Sequence, residues 1–268
     1  MKNRILIVVA VLVIAGGIAA YFFWQQIEPV SAPVLVNAPP AQTPASSVTP
    51  EVRNEVEAPP AQPPLPALAD SDKLILDALA GLVGNKSLME RFHADRFILN
   101  FVATIDNLPT RRASMNVMPV NPAPGNFVTE GGQDNLTISP NNAARYSAYV
   151  RIAEAIDAKK LVGLYIRLYP LFQQAYEQLG YPHKYFNDRL IVVMDDLLAA
   201  PIPGEPVKLV QPSVDYQYAD PGLESRSIGQ RILMRLGGKN EDLVKTKLRE
   251  IKRELVRHLH RKKLERPG

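Results

Sequence analysis

LYPLFQQAYEQLGYPHKYFNDRL, residues 168 to 190, decides how the folded part of this chain is built. Leu161, Leu164, Tyr165, Leu168, Phe172, Ala175, Tyr176 and Leu179 recur at steps of three and four, in phase through Pro170. That spacing predicts one long amphipathic helix from about Ala158, stopping at Gly180. Pro170 cannot donate to the carbonyl of Ile166, so a kink is expected there and not a break. A following helix, Asn187 to Ala199, puts Leu190, Ile191, Met194, Leu197 and Leu198 on one face and Asp188, Asp195 and Asp196 away from it. Most of the aromatic residues are therefore core. Buried tyrosine hydroxyls need partners, and Asn187, Asp188 and Arg145 are candidates.

The same pattern extends outward. Ser71 is placed to cap a helix over SDKLILDALAGLVG, with Leu74, Leu79, Leu82 and Val83 inward. A second helix runs from about Ser87 to Asn107, broken near His93. Its stripe is Phe97, Ile98, Phe101, Val102, Ile105 and Leu108, and Pro109 ends it. Thr110 to Asn126 has no period, which marks a functional or mobile stretch. FVTEGGQDNLTIS reads as a β-hairpin around Gly131-Gly132. Asn142 to Asp157 reads as a helix, and Asp157 also caps the next one. VKLVQPSVDYQYAD holds at least one short strand, and helices over Ser225–Leu236 and Glu241–Leu264 finish the chain. The expected fold is mainly α with a small β-hairpin (α+β), a multi-helix globular domain over residues 70–268.

Upstream, the chain changes character. Ile5 to Trp24 is a run of twenty residues without a charge. As a helix it is about 30 Å long, the thickness of a bilayer core. It closes on Tyr21, Phe22, Phe23 and Trp24, rings suited to the headgroup level. The apolar run continues beyond the small residues Gly17 and Ala19, which favours an uncleaved anchor over a signal peptide. Lys2 and Arg4 precede it, and no Lys or Arg follows until Arg53, so residues 1–4 are expected in the cytoplasm and the rest outside. Ala15/Ala19 and Gly16/Ala20 have the small-xxx-small spacing that admits a homodimer. Residues 25–69 hold 11 of the 24 prolines and form a linker unable to bury a core. As a coil it spans about 35–40 Å. The chain is expected to be single-pass, with everything after Trp24 outside the cytoplasm.

Charge and cysteine content exclude several chemistries. There is no cysteine, hence no disulfide framework, thiolate metal site or Cys nucleophile. The net charge is +4, and residues 239–268 alone hold 11 Lys and Arg against 5 Asp and Glu. No phosphate loop, HExxH, GxSxG or dinucleotide fingerprint is present. Of His93, His183, His258 and His260, the last two are two apart on a helix and make a poor metal pair. No cofactor and no metal is expected, and nucleic acid is an improbable partner outside the cytoplasm.

FVATIDNLPTRR, LYPLFQQAYEQLGYP, FNDRL with the LL that follows, LVQPSVDYQYADPGLE and GQRILMRLG, in that order, resemble a bacterial family catalogued as domain of unknown function 3014. The resemblance covers about Leu65 to Leu255. It implies a membrane-anchored protein of Gram-negative bacteria with a Pro-rich tether and one extracytoplasmic domain, so the expected location is the bacterial inner membrane, single-pass, with the C-terminal domain in the periplasm; it carries no activity to transfer.

Within that frame the unusual piece is IDNLPTRR. Asp106 and Asn107 sit at a helix C-terminus, where an acid opposes the dipole. Compensation is expected from Arg111, Arg112, Arg145 or a ligand cation, while Asn107 is suited to a left-handed cap. The expected contact surface comprises Asp106, Asn107, Arg145, Tyr146, Tyr169, Tyr176, Tyr185, Asn187 and Asp188. It would receive an envelope protein or peptidoglycan. The alternative is a hydrolase of envelope glycan or peptide using acids among Glu177, Asp188 and Asp195. A third reading gives Lys252, Arg253, Arg257, Arg261, Lys262 and Lys263 an anionic surface to bind, a lipid or a wall polymer.

Overall fold

A computed structural model describes residues 64–264 apart from 94, 112–118, 122 and 214, and only the backbone of 86, 133 and 261–264. The anchor segment, most of the linker and the side chains of Arg261, Lys262 and Lys263 lie outside the described residues, as does Arg112. Among the described residues no helix is long and apolar enough to cross a membrane.

Ten helices and four two-residue strands make up the described fold. The first helices are α1 (Asp72–Val83), α2 (Lys86–Met89) and α3 (Phe97–Asn107). Then come α4 (Asn142–Arg145), α5 (Ser147–Ala155), α6 (Ala158–Gln178) and α7 (Phe186–Leu198). The last are α8 (Pro221–Glu224), α9 (Ile228–Met234) and α10 (Gly238–Leu264). Helix α6 lies at the centre. Both α3 and α10 pack along it, α10 also covers α5 and α7, and α7 touches α3. The stripe of α3 is fully inside, from Phe97 to Leu108, and Phe101 meets Phe172 edge-on at 5.4 Å. Helix α10 contributes Val244, Leu248, Ile251 and Leu255 to the same core.

The helix ends follow local chemistry. Asp157 accepts from Lys160 N at 3.1 Å, as its position predicts, and α6 continues through Pro170. The expected break near His93 is there. After it, α3 is capped from a distance: the Asp72 carboxylate accepts from Arg96 N and Phe97 N, both at 2.8 Å. Arg96 adopts a left-handed backbone, φ 47°, at this junction. On α1 the inward residues are Ile75, Leu79, Leu82 and Val83, with Leu74 only partly covered. Just ahead of α1, Leu68 is buried and Leu65 packs on the core, so core contacts begin upstream of Asp70.

Three expectations need correction. The helix over Asn142–Asp157 is two, divided at Tyr146. The helix over Ser225–Leu236 is shorter, Ile228–Met234, because Ser227 caps it, and a separate turn of helix, Pro221–Glu224, started by Pro221 and capped by Asp220, precedes it. The β part is larger than one hairpin. Strands β1 (Thr129–Glu130) and β2 (Thr137–Ile138) pair antiparallel, as do β3 (Leu209–Val210) and β4 (Gln217–Tyr218). A bridge between Thr137 and Lys208 joins the two pairs. This ribbon covers a second small core of Val207, Leu209, Tyr218 and Met234.

Candidate binding site: a polar corner where the motifs meet

Asp106 occupies the last turn of α3, and its compensation comes from α7. Arg189 Nε donates to Asp106 Oδ1 at 2.7 Å and Arg189 Nη2 to the Asp106 carbonyl at 2.5 Å. Tyr181 Oη donates to the other carboxylate oxygen at 3.1 Å. The guanidinium thus meets both the acid and a carbonyl at a helix C-terminus, the two groups that a cation stabilises there. Arg145, expected to do this, is engaged elsewhere, and Arg111 is exposed. Arg145 donates to the carbonyls of Pro124 and Gly125 at 3.0 and 2.9 Å. The Arg111 carbonyl accepts from Arg231 at 2.8 Å. Asn107 is not a left-handed cap: α3 ends on Leu108, which has φ −54° and ψ −39°.

Gln173 organises the turn between α6 and α7. Its Oε1 accepts from Tyr169 Oη and from Phe186 N, both at 2.9 Å. Its Nε2 donates to the Lys184 carbonyl at 2.9 Å. The turn Gly180–Tyr185 is therefore fixed at both ends, with Gly180 at φ 101° where α6 stops. Tyr181 stacks on Tyr176 at 4.6 Å, and Lys184 Nζ lies 5.6 Å above the Tyr181 ring.

The nominated residues divide by exposure. Tyr146, Tyr169, Tyr176 and Asn187 are buried. Asp106, Asn107, Arg145, Tyr185 and Asp188 are half-buried. Asn187 accepts from Tyr165 Oη at 2.7 Å, one of the partners expected for a core tyrosine. Arg145 and Tyr146 are held by a different set of groups, the 124–125 loop and Asn142, which in turn clips Val128 at the hairpin. The acids proposed for hydrolysis are partly committed: Asp195 pairs with Lys252, and Glu177 accepts from Gln173. Asp196, read as lying away from the core, accepts from Ser227 at 2.6 Å and from Gln230. Burial raises its carboxyl above the usual range, and the Ser227 bond offsets part of this.

Burial raises the Tyr176 hydroxyl to about 12, with the Asp106 charge adding to the effect. The hydrogen bond to Asp106 is the first cause of a raised Tyr181. Both phenols therefore stay protonated at neutral pH, and Tyr181 acts as the donor to Asp106. Sequence reasoning missed Tyr181, Arg189 and Gln173. The only signals were the i, i+4 spacing of Tyr169 and Gln173 and an arginine within FNDRL; neither identifies a partner 83 positions away.

The motifs are mutually bonded. Ile228 N donates to the Thr110 carbonyl at 2.8 Å and Gly229 N to the Leu108 carbonyl at 2.9 Å. Arg231 binds Glu224 at 2.6 Å, and Tyr218 Oη donates to the Arg231 carbonyl at 3.1 Å. Arg235 lies over the rings of Phe127 and Tyr218 at 5.8 and 5.4 Å. So IDNLPT, QLGYP, FNDRL, YADPGLE and GQRILMRLG form one hydrogen-bonded chain that emerges at the Asp106 corner. Comparison with curated proteins and with solved structures gives no match. A family model matches residues 97–252, from the first residue of α3 into α10. That span is more than half of the sequence and contains every motif of the network, so the chain belongs to the family described as Protein of unknown function (DUF3014).

Proposed function

We propose that this chain is a single-pass envelope protein whose helical domain binds a protein or peptidoglycan partner at the Asp106–Tyr181–Arg189 corner. In this reading Ile5–Trp24 anchors the chain in the inner membrane, the Pro-rich segment is a tether, and the domain works as a scaffold on the periplasmic side. The observation that carries it is the corner itself. Five separated motifs converge on a network whose outer members keep 18% (Asp106) and 27% (Arg189) of their side chains exposed. Exposed Leu179 stands beside the turn. Tyrosine and arginine held rigid at a partly covered site, next to apolar surface, are the residue types that dominate binding energy at interfaces.

The test is a photo-crosslinking residue placed at Leu179 or Tyr185 in living cells, with Ile202, exposed elsewhere, as control. One discrete adduct at Leu179 and Tyr185 but not at Ile202 supports the reading. An adduct of twice the chain's mass identifies a second copy as the partner, and a glycan adduct identifies the wall. Equal labelling at all three positions removes the corner as a site.

A further inference from the structure

Helix α10 is asymmetric in a way the core does not require. From Lys247 to Lys263 it carries eight Lys and Arg against two Glu. Its inner face is apolar, and Arg249, Arg253, Arg257 and His260 are exposed on the opposite side. Steps of four, four and three put them in one line along the helix. Both glutamates are engaged beside this line, Glu250 by Lys247 at 2.7 Å and Glu254 by Arg257 at 2.6 Å. Lys252, grouped with the basic surface from sequence, pairs with Asp195 on α7. Arg249 and Arg253 have no acidic group within ion-pairing distance among the described residues.

We propose that this outer face of α10 docks flat on an anionic phospholipid bilayer. The helix backbone runs on to Leu264, and the row from Arg249 to His260 is about 16 Å long. A line of guanidinium groups on long stems matches a plane of phosphates. Among the described residues the face has no aromatic or apolar centre of the kind that a protein interface needs. It uses none of the corner residues, so the two readings stand or fall separately.

The chain has no cysteine, so His260→Cys gives a unique labelling position. A fluorophore there is read in the full chain, incorporated into vesicles of phosphatidylcholine alone or mixed with phosphatidylglycerol and carrying a headgroup quencher. The expected result is quenching in the anionic mixture only, relieved by salt. Each basic residue near such a surface contributes about fivefold in partitioning, so Arg249→Gln/Arg253→Gln/Arg257→Gln should lose on the order of a hundredfold. If that variant fails to fold by circular dichroism, the single reversal Arg253→Glu should lose about 25-fold. Lys159→Gln/Lys160→Gln, exposed on α6, should lose none. Quenching that is the same in both lipids, or unchanged by Arg253→Glu, overturns the proposal, as does capture of an acidic protein at Arg257 without any lipid effect. Entry into neutral vesicles reports separately on Ile5–Trp24.

Discussion

Replacing Lys245 by Met isolates a buried charge. Glu241 is 0% and Lys245 4% exposed at the side chain, with Nζ 2.6 Å from Oε1. The ammonium also donates to the Ala200 carbonyl. The Nζ–Oε1 approach is close, and neither carboxylate oxygen has any other hydrogen-bond donor among the described residues. At an effective dielectric of about 20 the attraction is about 6 kcal/mol, against several kcal/mol of desolvation for each ion. The pair is therefore near break-even, and removing one member is what hurts. Lys245→Met should cost about 3–5 kcal/mol at pH 7, while Glu241→Met/Lys245→Met should return to within about 1 kcal/mol of the parent. Burial raises the Glu241 carboxyl, and Lys245 offsets this only partly. A raised folded value means that the folded state holds the proton more tightly. Stability linked to Glu241 is then present below the ordinary glutamate value and falls as pH rises through the raised one. The Lys245→Met loss should accordingly shrink on acidification. The assay is urea unfolding of residues 64–268 followed by circular dichroism, at neutral and mildly acidic pH. A loss below about 1 kcal/mol that ignores pH would refute the buried-pair reasoning. A double variant as unstable as the single would show instead that the charges hold the Ala200 junction.

Gly229→Ala should destabilise by about 1–3 kcal/mol, measured by thermal melting. Its new Cβ would lie 2.5 Å from Leu197 Cδ2 and 3.3 Å from both Leu108 Cβ and the Leu108 carbonyl oxygen, and only the leucine tip can move freely. Arg96→Gly should stabilise by up to about 1 kcal/mol in the same assay, since glycine adopts the left-handed backbone without steric cost. Asp106→Asn should return the Tyr181 phenol toward its ordinary value, because the bond to Asp106 is the first cause of its shift, and ultraviolet titration of tyrosinate reads this directly. Burial holds Tyr176 and Tyr218 at about 12. From pH 10 to 12 the unfolded chain gives up protons that the folded one keeps, so stability should fall as pH rises through that window in alkaline unfolding.

Periodic features were legible. The α3 stripe, the phase of α6 through Pro170, the cap at Asp157 and the inner face of α10 all follow from spacing, because each is decided within a few turns of chain. What crosses the chain was not. Arg189 reaches Asp106 and Asp72 caps α3 only once α7 and α1 have packed. The strand bridge at Thr137 and Lys208 involves single residues with no alternating run to announce it. Lys245 reads as one more basic residue of a charged helix, and only the packed Ala200 segment makes it interior. The corner was half visible: Asp106 stood out as an acid at the wrong helix end, but the identity of its partner depends on how two helices cross.

The position of α10 has a consequence for biosynthesis. Val244, Leu248, Ile251 and Leu255 close the core over α5, α6 and α7, yet they are made after all three of those helices. Until they emerge, one apolar side of each of these helices has no cover, and growing chains with such faces open are prone to aggregate. The domain cannot complete its core in step with synthesis; it waits for α10. A truncation near Glu241 should therefore yield insoluble or degraded protein and not a smaller working domain.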